Sequence, residues 1–517
     1  MLCFYSNNTD VIPPLFSCIK PSPPPRPFSI PSIMAQFNAF SLFIIAIFSS
    51  ASLFSLASPR AISLQTQVLD VASAIQKTLH FLSPTFRDQK KSSNSSSSSS
   101  SFSLSVHPRS SLVRPHQRDY GDLMTARLGR DSVRVSSLDA KLRVAVSGLS
   151  RADFRPVQTA VRPEDLESPV TSGVSQGSGE YFARLGVGQP AKDFYMVIDT
   201  GSDVTWLQCE PCSDCYSQTD PIFNPAQSTS YRRLPCQAAQ CSALEVSACG
   251  TDSCLYQVSY GDGSFTIGEF GTETVSFGKS GTVPNVAIGC GHDNEGLFVG
   301  AAGLIALGGG TMSLPSQIKA TSFSYCLVDR DSGSSSTLEF NSARPGDSVL
   351  APLLRNSKID TFFYVGLTGI SVGGDMLSIP PSVFQLDGSG NGGIIVDSGT
   401  AVTRLQSQAY NTLRDTFKKY TKNLPASGDF AIFDTCYDLS SMTKVSVPTI
   451  GFHFSGEKTL MLHPKNYLIP VDSAGKFCLA FAPTSGSLSI IGNIQQQGTR
   501  VSYDLANKLV GFSPDKC

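Results

Sequence analysis

The sequence predicts an all-β protein, and two observations carry this prediction. The first is composition, since 43 Gly and 32 Pro in 517 residues favour short strands joined by turns. The second is a repeat, because DTGSDVTWLQ at 199–208 returns as DSGTAVTRLQ at 397–406. Each copy follows an apolar pair, Val197-Ile198 or Ile395-Val396, as expected of a buried strand. A repeated strand that ends in Asp predicts two similar lobes, each presenting one carboxylate to a common site.

The individual elements are clearest from Gly179 onward, where apolar and β-branched runs alternate with turn residues. The runs that predict strands are Tyr181–Gly188, Asp193–Ile198, Leu255–Tyr260, Val283–Ile288 and Phe362–Val372. Two helices are predicted in the same part, over Leu314–Lys319 and Ala409–Lys419. Upstream, the apolar residues of Asp122–Val146 recur at near-helical spacing, which predicts one amphipathic helix.

The chain is predicted to begin with segments that precede the folded lobes. Residues 1–33 are Pro-rich and come before Met34, so we interpret them as a doubtful N-terminal extension. Residues 34–57 predict a signal peptide, because the apolar run Phe40–Phe48 is followed by small residues suited to cleavage. An uncleaved membrane anchor is the alternative for this run.

Residues 58–170 predict a propeptide, and the two lobes are expected at 171–355 and 356–517. The propeptide contains a Ser-rich linker, Ser92–Ser101, with too little apolar surface to order itself. Residues 1–170 contain 18 Lys and Arg against 11 Asp and Glu, whereas residues 171–517 contain 22 against 30. This asymmetry favours a basic segment that docks on the acidic remainder of its chain, with a basic disordered tail as the alternative. The acidic charge of the globular part argues against a nucleic-acid partner.

The two Asp motifs predict acid–base chemistry at Asp199 and Asp397. Two carboxylates that share a site cannot both ionise, which provides an acid and a base together. Each Asp is followed by a Gly that lets the backbone turn tightly and by a hydroxyl that can orient the carboxylate; these residues are Gly201 with Ser202, and Gly399 with Thr400. A third motif of the Asp-Thr/Ser-Gly type, Asp-Ser-Gly at 331–333, follows Asp329-Arg330 rather than an apolar strand, so we predict a surface turn there.

Together with further motifs, this pattern resembles the pepsin-like aspartic endopeptidases. The further motifs are Tyr260-Gly261-Asp262-Gly263-Ser264 and Ile490-Ile491-Gly492, and the Cys-rich stretch Cys209–Cys254 is similar to the nepenthesin-type branch from plants. The resemblance covers roughly Gly179 to Cys517. It implies a bilobal pepsin-like fold of two β-barrel-like lobes with the cleft between them, and an aspartic endopeptidase made as a zymogen with an acidic pH optimum. A catalytically weak binding or inhibitor protein on the same fold is the alternative.

The resemblance also implies roles for individual residues. Asp199 and Asp397 would activate a water, and Thr200 and Ser398 would form hydrogen bonds across the lobe interface. Tyr260 and Gly261 would belong to a flap over the substrate, with the indole N–H of Trp206 donating to the Tyr260 hydroxyl. One departure is Leu304-Ile305-Ala306, where the family has Gly in place of Ala.

Cysteine use predicts an oxidising compartment. Of 14 Cys, 12 fall between Cys209 and Cys517, which indicates six disulfides behind a secretory signal. The resemblance implies the pairs Cys209–Cys212, Cys215–Cys290, Cys236–Cys254, Cys241–Cys249, Cys326–Cys517 and Cys436–Cys478. No His cluster accompanies the close cysteines Cys209, Cys212 and Cys215, so we expect no metal and no cofactor.

The expected partners follow from these assignments. They are polypeptide substrates and the chain's own propeptide, with no stable membrane association after signal cleavage. We expect a monomer in the secretory pathway, secreted to the apoplast or retained in the endoplasmic reticulum or the vacuole.

Overall fold

The computed structural model describes residues 64–82, 101–111, 119–147, 180–260, 264–296, 298, 300–456 and 458–517. The predicted extension 1–33, the signal peptide 34–57, most of the Ser-rich linker and the flap residue Gly261 lie outside the described residues. Strands dominate the described part, which confirms the all-β prediction.

The strands are mostly short and are separated by turns. Before residue 356 they are Thr66–Asp70, Phe102–Pro108, Tyr181–Val187, Lys192–Asp199, Trp206–Gln208, Asp214–Cys215, Arg232–Arg233, Ser247–Gly250, Ser253–Ser259, Phe265–Ser276, Thr282–Glu295, Gly303–Ala306, Ser322–Cys326, Ser336–Phe340 and Val349–Leu354. After it they are Tyr364–Val365, Leu367–Val372, Asp375–Met376, Ile394–Val396, Thr403–Gln406, Ala426–Ser427, Cys436–Asp438, Lys444–Pro448, Ile450–Phe454, Lys458–Met461, Leu468–Pro470, Lys476–Leu479, Phe481–Thr484, Ser489–Ile491, Thr499–Asp504 and Leu509–Pro514.

Helices are few among the described residues. The α-helices are Val71–Phe81, Tyr120–Val146, Ala239–Ala243, Leu314–Gln317, Ser407–Tyr420 and Asn493–Gln496, and the 3₁₀ turns are Arg109–Ser111, Pro225–Gln227, Pro381–Phe384 and Pro464–Asn466. The three predicted helices are therefore confirmed, with ends that differ by a few residues. Among the described residues no helix is long and apolar enough to cross a membrane.

The two lobes repeat one arrangement of strands around each Asp. In the first lobe, Gly303–Ala306 runs parallel to Lys192–Asp199 and antiparallel to Trp206–Gln208. In the second lobe, Ser489–Ile491 runs parallel to Ile394–Val396. Each Asp loop is thus supported by a strand from further along its own lobe.

A sheet shared by both lobes lies behind the two Asp loops. Its strands are hydrogen-bonded in the order Tyr181–Val187, Phe102–Pro108, Ser336–Phe340, Ser322–Cys326, Thr499–Asp504, Leu509–Pro514 and Val349–Leu354. The rings of Phe323 and Tyr503, one from each lobe, stack with centroids 4.5 Å apart. The strand Phe102–Pro108, which belongs to the predicted propeptide, is inside this sheet rather than at its edge. The lobe boundary at 355/356 stays a prediction.

Six disulfides are present, as expected from the cysteine count, but four of the six implied pairs are wrong. Cys326–Cys517 and Cys436–Cys478 are confirmed. In place of Cys209–Cys212 and Cys215–Cys290, the structure contains Cys209–Cys290 and Cys212–Cys215. The reason is strand register: Leu207 lies beside Cys290, and Cys215 lies beside Asn294, further along the same strand.

The second correction concerns the small hairpin at 247–259. In place of Cys236–Cys254 and Cys241–Cys249, the structure contains Cys236–Cys249 and Cys241–Cys254. Cys249 and Cys254 lie opposite each other across the hairpin. Each bonds to a different one of the two remaining cysteines, Cys236 and Cys241. The buried Cys254 bonds to the buried Cys241, whereas the exposed Cys249 bonds to the half-buried Cys236.

Candidate active site

Asp199 and Asp397 come together at the junction of the two lobes. Asp199 is the last residue of the strand Lys192–Asp199, and Asp397 directly follows Ile394–Val396. Both side chains are buried, each residue being 1% exposed. The repeated strands therefore deliver their carboxylates to one site, as the sequence predicts.

Hydroxyl groups orient both carboxylates. The Ser202 hydroxyl donates a short hydrogen bond to Oδ2 of Asp199, and Thr400 Oγ1 donates to Oδ2 of Asp397 at 2.6 Å. The backbone N–H of Gly201 donates to Oδ1 of Asp199 at 2.9 Å. These contacts fix the rotation of each carboxylate and match the arrangement expected from the residues after each Asp.

A reciprocal pair of hydrogen bonds joins the two loops. The backbone N–H of Ser398 donates to Oγ1 of Thr200 at 2.9 Å, and the N–H of Thr200 lies 3.3 Å from Oγ of Ser398. Thr200 Oγ1 also lies 3.1 Å from Oδ1 of Asp397, to which it can donate. The structure thus contains the cross-lobe contacts that the family resemblance implies for these residues.

The Gly of each motif lies close to the opposite loop. A Cβ on Gly399 would lie 2.9 Å from Oδ1 of Asp199, which is closer than Cβ atoms approach in packed proteins. A Cβ on Gly201 would be in tight contact with Oδ1 of Asp397 at 3.3 Å, and it would overlap Nη2 of Arg134 in the helix Tyr120–Val146. The two glycines therefore let the carboxylates face each other.

The first lobe adds an aromatic group beside the pair. Trp206 Nε1 donates to the hydroxyl of Tyr260 at 2.9 Å, as the family resemblance implies. The ring of Phe298 contacts both, with centroids 5.0 Å from Trp206 and 5.2 Å from Tyr260. Tyr260 is half-buried, so its ring forms part of the wall of the cleft.

Comparison with known proteins identifies the family. Two family profiles match the chain: "Xylanase inhibitor N-terminal" over residues 181–341 and "Xylanase inhibitor C-terminal" over residues 362–514. "Aspartyl protease family protein 2" of Arabidopsis thaliana is 55% identical over 404 residues, which cover 77% of this chain and 81% of that protein. The chain belongs to the pepsin-like aspartic proteases of plants.

Other relatives agree with this family. "Protein ASPARTIC PROTEASE IN GUARD CELL 2" of Arabidopsis thaliana is 46% identical, covering 80% of this chain and 88% of that protein. "Aspartic proteinase nepenthesin-1" of Nepenthes gracilis is 40% identical, covering 76% and 93%. The protein is accordingly an aspartic endopeptidase. A solved structure described as "Crystal structure of edgp" aligns with a TM-score of 0.55 at 20% identity, covering 65% of this chain and 91% of that one, which supports the bilobal all-β fold.

In this protease a long helix from the predicted propeptide occupies the cleft. We call Tyr120–Val146 the cleft helix; the side chain of Asp119 caps its N-terminus by accepting from the N–H groups of Gly121 and Asp122. Its Arg134 is 8% exposed and contacts both carboxylates. Nη1 and Nη2 lie 3.0 and 2.5 Å from the oxygens of Asp199, and Nη2 lies 3.3 Å from those of Asp397. One guanidinium therefore bridges the two carboxylates and fills the space between them.

The cleft helix also buries apolar side chains in the cleft of the protease. Val135, Leu138 and Leu142 form one cluster with residues of the second lobe that include Ile359 and Phe362. Their spacing places them on one face of the helix. The helix thus covers the apolar surface beside the carboxylates as well as the carboxylates themselves.

Two further arginines of the cleft helix pair with carboxylates of the first lobe. Arg130 lies 3.0 Å from Glu180, and Arg127 lies 2.8 Å from Asp331. Burial works to raise the pKa of Glu180, but Arg127, Arg130 and Arg109 lower it below the ordinary value on balance. Arg127 and Arg330 likewise outweigh burial and lower the pKa of Asp331. Both contacts favour the ionised carboxylate.

The prediction of a surface turn for Asp-Ser-Gly at 331–333 therefore needs a correction. Asp331 lies in a turn, as predicted, but it is not a surface group, since its side chain is only 8% exposed. The Tyr120 hydroxyl donates to it at 2.5 Å, in addition to the Arg127 contact. The motif is a docking site for the N-terminal end of the cleft helix.

The second lobe contacts the cleft helix with the opposite polarity. Here the helix provides the acid, Asp131, and the lobe provides the base, Arg404, at 2.7 Å. The N–H of Ala401 also donates to Asp131, at 2.5 Å. Burial raises the pKa of Asp131, and Arg404 offsets this only in part. The helix is thus bound by charge pairs of both senses.

Arg134, Glu180 and Asp331 are functional residues that sequence reasoning missed. The available signal is that Arg127, Arg130 and Arg134 fall at helical spacing among apolar residues, which places three cations on the buried side of an amphipathic helix. Within the described part of the chain, no group of three His, Cys, Asp or Glu residues could bind a metal.

Proposed function

We propose that Asp199 and Asp397 together activate a water molecule for attack on the scissile peptide carbonyl. One carboxylate accepts a proton from the water as its oxygen bonds to the carbonyl carbon. The other carboxyl, protonated, donates to the carbonyl oxygen, which gives a tetrahedral intermediate that is never bonded to the enzyme. The observation that carries this proposal is that a single nitrogen, Nη2 of Arg134, lies within 3.3 Å of both carboxylates, so one small group between them can contact both.

Asp199→Asn and Asp397→Asn test the assignment directly. Each variant should lose activity on denatured protein near pH 4 by about 10³-fold or more, because one of the two proton-transfer groups is gone. Asp387→Asn is the matched control, since Asp387 is an exposed carboxylate in a surface turn. Retention of wild-type activity by either dyad variant would refute the assignment.

We propose further that residues 58–170 are a propeptide and that the protease is made as an inactive zymogen. Arg134 forms ion pairs with both carboxylates of the dyad, and the cleft helix covers the adjoining apolar surface. Glu180 and Asp331 have lowered pKa values in the docked state. Their contribution is present above the ordinary carboxylate pKa and is lost as the pH falls through the lowered value. The pKa of Asp131 is raised, so its contribution to docking is present at low pH and is lost as the pH rises. This opposes the effect of Glu180 and Asp331.

Acid should therefore release the cleft helix, and Glu180→Gln tests this account. Removing a charge-assisted bond worth about 1.5–3 kcal/mol should raise the pH of half-activation by roughly 1–2 units. The measurement is the rate of appearance of activity between pH 3 and pH 7. Glu245→Gln is the control, because Glu245 is an exposed acid in a weak, 4.0 Å contact with Lys141 of the cleft helix. Equal activation rates at pH 4 and pH 7 in the wild type would contradict the mechanism.

We also propose that the mature enzyme is a secreted or endomembrane monomer. Support comes from the predicted signal peptide at 34–57 and from six disulfides, which form in oxidising compartments. N-terminal sequencing of the protein recovered from plant extracellular fluid, with light scattering of the same sample, checks the compartment, the processing site and the oligomeric state together. Recovery only from the cytosol with residues 34–57 intact would contradict this proposal.

A further inference from the structure

Residues 64–82, which we call the anchor, lie on the second lobe against the strand Lys444–Pro448. The anchor strand pairs with it antiparallel, with Thr66 opposite Pro448 and Asp70 opposite Lys444. Backbone hydrogen bonds continue past both ends of this pairing. Gln65 donates to Gly373 at 2.9 Å, and Val71 donates to Thr443 at 3.0 Å. The anchor is therefore joined to the lobe by a continuous run of main-chain contacts.

Side chains of the anchor complete the core of the second lobe. Leu69 is 4% exposed and Val71 is fully buried, and both belong to the same apolar cluster as Val445 and Val447. The hydroxyl of Thr78, a buried residue, donates to Ser473 Oγ at 3.1 Å. Removing the anchor would thus uncover apolar surface and an unpaired strand edge, both of which cost free energy in water.

The anchor meets the cleft helix at its C-terminal end. The ring of Phe81 packs edge-on against Tyr120, with centroids 6.5 Å apart, and the guanidinium of Arg127 lies 5.5 Å from the centre of that ring. The anchor therefore also supports the end of the cleft helix that docks at Asp331. Its main-chain contacts, however, are all with the second lobe.

The ion pair that the structure describes between the anchor and the rest of the chain contributes little to the binding of the anchor. Its Lys77 lies 3.4 Å from Asp329, but these side chains are 56% and 32% exposed, a setting in which ion pairs are weak. Asp70 caps its own helix by accepting from Ser73. The other charged or titratable groups of the anchor and of the surface facing it are His80, Lys444, Arg330, Asp331, His463 and Lys465. Lys444 lies in the paired strand, but it joins the ladder through its backbone, and the main-chain ladder does not titrate.

We propose that the anchor stays bound to the mature protease as a separate short chain after the cleft helix has been released. The proposal rests on the proposed function, in which proteolysis removes the propeptide. The cleft helix is bound through Arg–carboxylate pairs that acid weakens, whereas amide hydrogen bonds and apolar burial bind the anchor. The Ser-rich run Ser92–Ser101 separates the anchor from the strand Phe102–Pro108. A cut in this run leaves in place every main-chain contact between the anchor and the strand Lys444–Pro448. The peptide that stays bound to the second lobe is therefore the strand and helix of the anchor, from the same chain.

The first experiment does not depend on the chain's own activity. A recognition sequence for a site-specific protease replaces residues 93–98 in the full chain carrying Asp397→Asn, so that the fragment cannot be digested by the enzyme. After cleavage, size-exclusion chromatography and mass spectrometry are run near pH 7 and near pH 4. We expect the anchor fragment to elute with the large fragment at both values. Elution of the fragment by itself at pH 4 would overturn the proposal.

Paired variants test whether the described contacts are responsible. Leu69→Arg with Val71→Arg places charge at buried positions and should release the fragment at both pH values. Val68→Arg with Leu79→Arg is the matched control, because these side chains of the same strand and helix are 61% and 56% exposed, and it should retain the fragment. Equal retention by both pairs would contradict the assigned interface. If the variant with both buried substitutions does not fold, a second experiment is used, in which a labelled synthetic peptide of residues 62–84 displaces the wild-type fragment. Absence of specific exchange or of co-elution would overturn the proposal.

The last readout uses the active chain. After acid activation, mass spectrometry of the purified enzyme should find a peptide that contains residues 64–82 in equal amount to the mature chain. An active enzyme that lacks this peptide would overturn the inference while leaving the proposed function intact. If the wild-type chain gained no activity in acid while the Asp397→Asn chain retained the fragment after the engineered cut, the result would instead count against the proposed function.

Discussion

Each of the two Asp loops is supported by a hydrogen bond of the same kind, but the space around the residue that donates it differs between the lobes. In the first lobe the N–H of Ala306 donates to Thr205 Oγ1 at 3.1 Å, and in the second the N–H of Gly492 donates to Thr403 Oγ1 at 3.0 Å. A Cβ on Gly492 would lie 2.6 Å from the carbonyl oxygen of Ala401. The first lobe accommodates the Cβ of Ala306 within an apolar cluster. The comparison shows that Gly is required at position 492 because a Cβ would be too close to Ala401. The hydrogen bond itself does not require Gly, since Ala306 forms the same one.

The repeats also differ at the position that follows their shared Val-Thr. Trp206 lies opposite Leu304 in the first lobe, and Arg404 lies opposite Ile490 in the second, so the two side chains occupy equivalent sites. Trp206 donates to Tyr260, whereas Arg404 binds Asp131 of the cleft helix. One repeat position thus contacts Tyr260 in one lobe and the cleft helix in the other.

The largest effect expected from this comparison is on docking through the second lobe. Arg404→Gln should weaken binding of the cleft helix by about 3–5 kcal/mol, since it leaves Asp131 buried without its cation. The variant should generate activity at a higher pH than the wild type, and its kcat/KM after processing should equal that of the wild type. Activation kinetics and turnover on a peptide measure the two effects. A fall in turnover of the processed enzyme would show that Arg404 also acts on substrate.

A smaller effect is expected at the support of the Asp397 loop. Gly492→Ala should destabilise the protein by about 1–3 kcal/mol through overpacking, and a displaced Asp397 should lower kcat by about 10²-fold. Thermal unfolding and turnover measure these changes. The reciprocal variant, Ala306→Gly, should cost only roughly 1 kcal/mol and leave turnover within a fewfold of wild type. Equal losses in the two variants would contradict the assigned difference in space.

The smallest effect is expected at Trp206. Trp206→Phe removes one neutral hydrogen bond to Tyr260, worth about 0.5–1.5 kcal/mol, and should lower kcat/KM about twofold to tenfold. Tyr260→Phe removes the same bond from the other side and should give a similar loss, while the double variant should lose little more. Strictly additive losses would show that the two residues act separately. A double-mutant cycle of kcat/KM on one peptide is the measurement.

The part of the site predicted from sequence is the part encoded locally. An apolar pair, an Asp, a Gly and a hydroxyl fall within a few residues of one another, so both loops and their orienting Ser202 and Thr400 could be placed beforehand. The cysteine count likewise predicted six disulfides. Their pairing depended on strand register around Cys290 and on the hairpin at 247–259, which is tertiary information.

The remainder could not be predicted because it depends on contacts between distant parts of the chain. Arg134 is one of several arginines in a predicted helix, and only docking shows that it faces Asp199 and Asp397. Asp331 was interpreted as a surface turn because no strand precedes it, but the cleft helix covers it. The anchor has no recognisable motif, since main-chain pairing and a few buried apolar side chains join it to the lobe, and many sequences are suited to both.

The position of Phe102–Pro108 has a practical consequence for producing the enzyme. This strand pairs with Ser336–Phe340 on one side and Tyr181–Val187 on the other, so it separates two strands of the mature chain. A gene that started at residue 180 would encode a sheet with a missing inner member and two open edges, a form prone to pair with other chains. The N-terminal segment is therefore part of the folding template, and recombinant material is best expressed with it and matured afterwards.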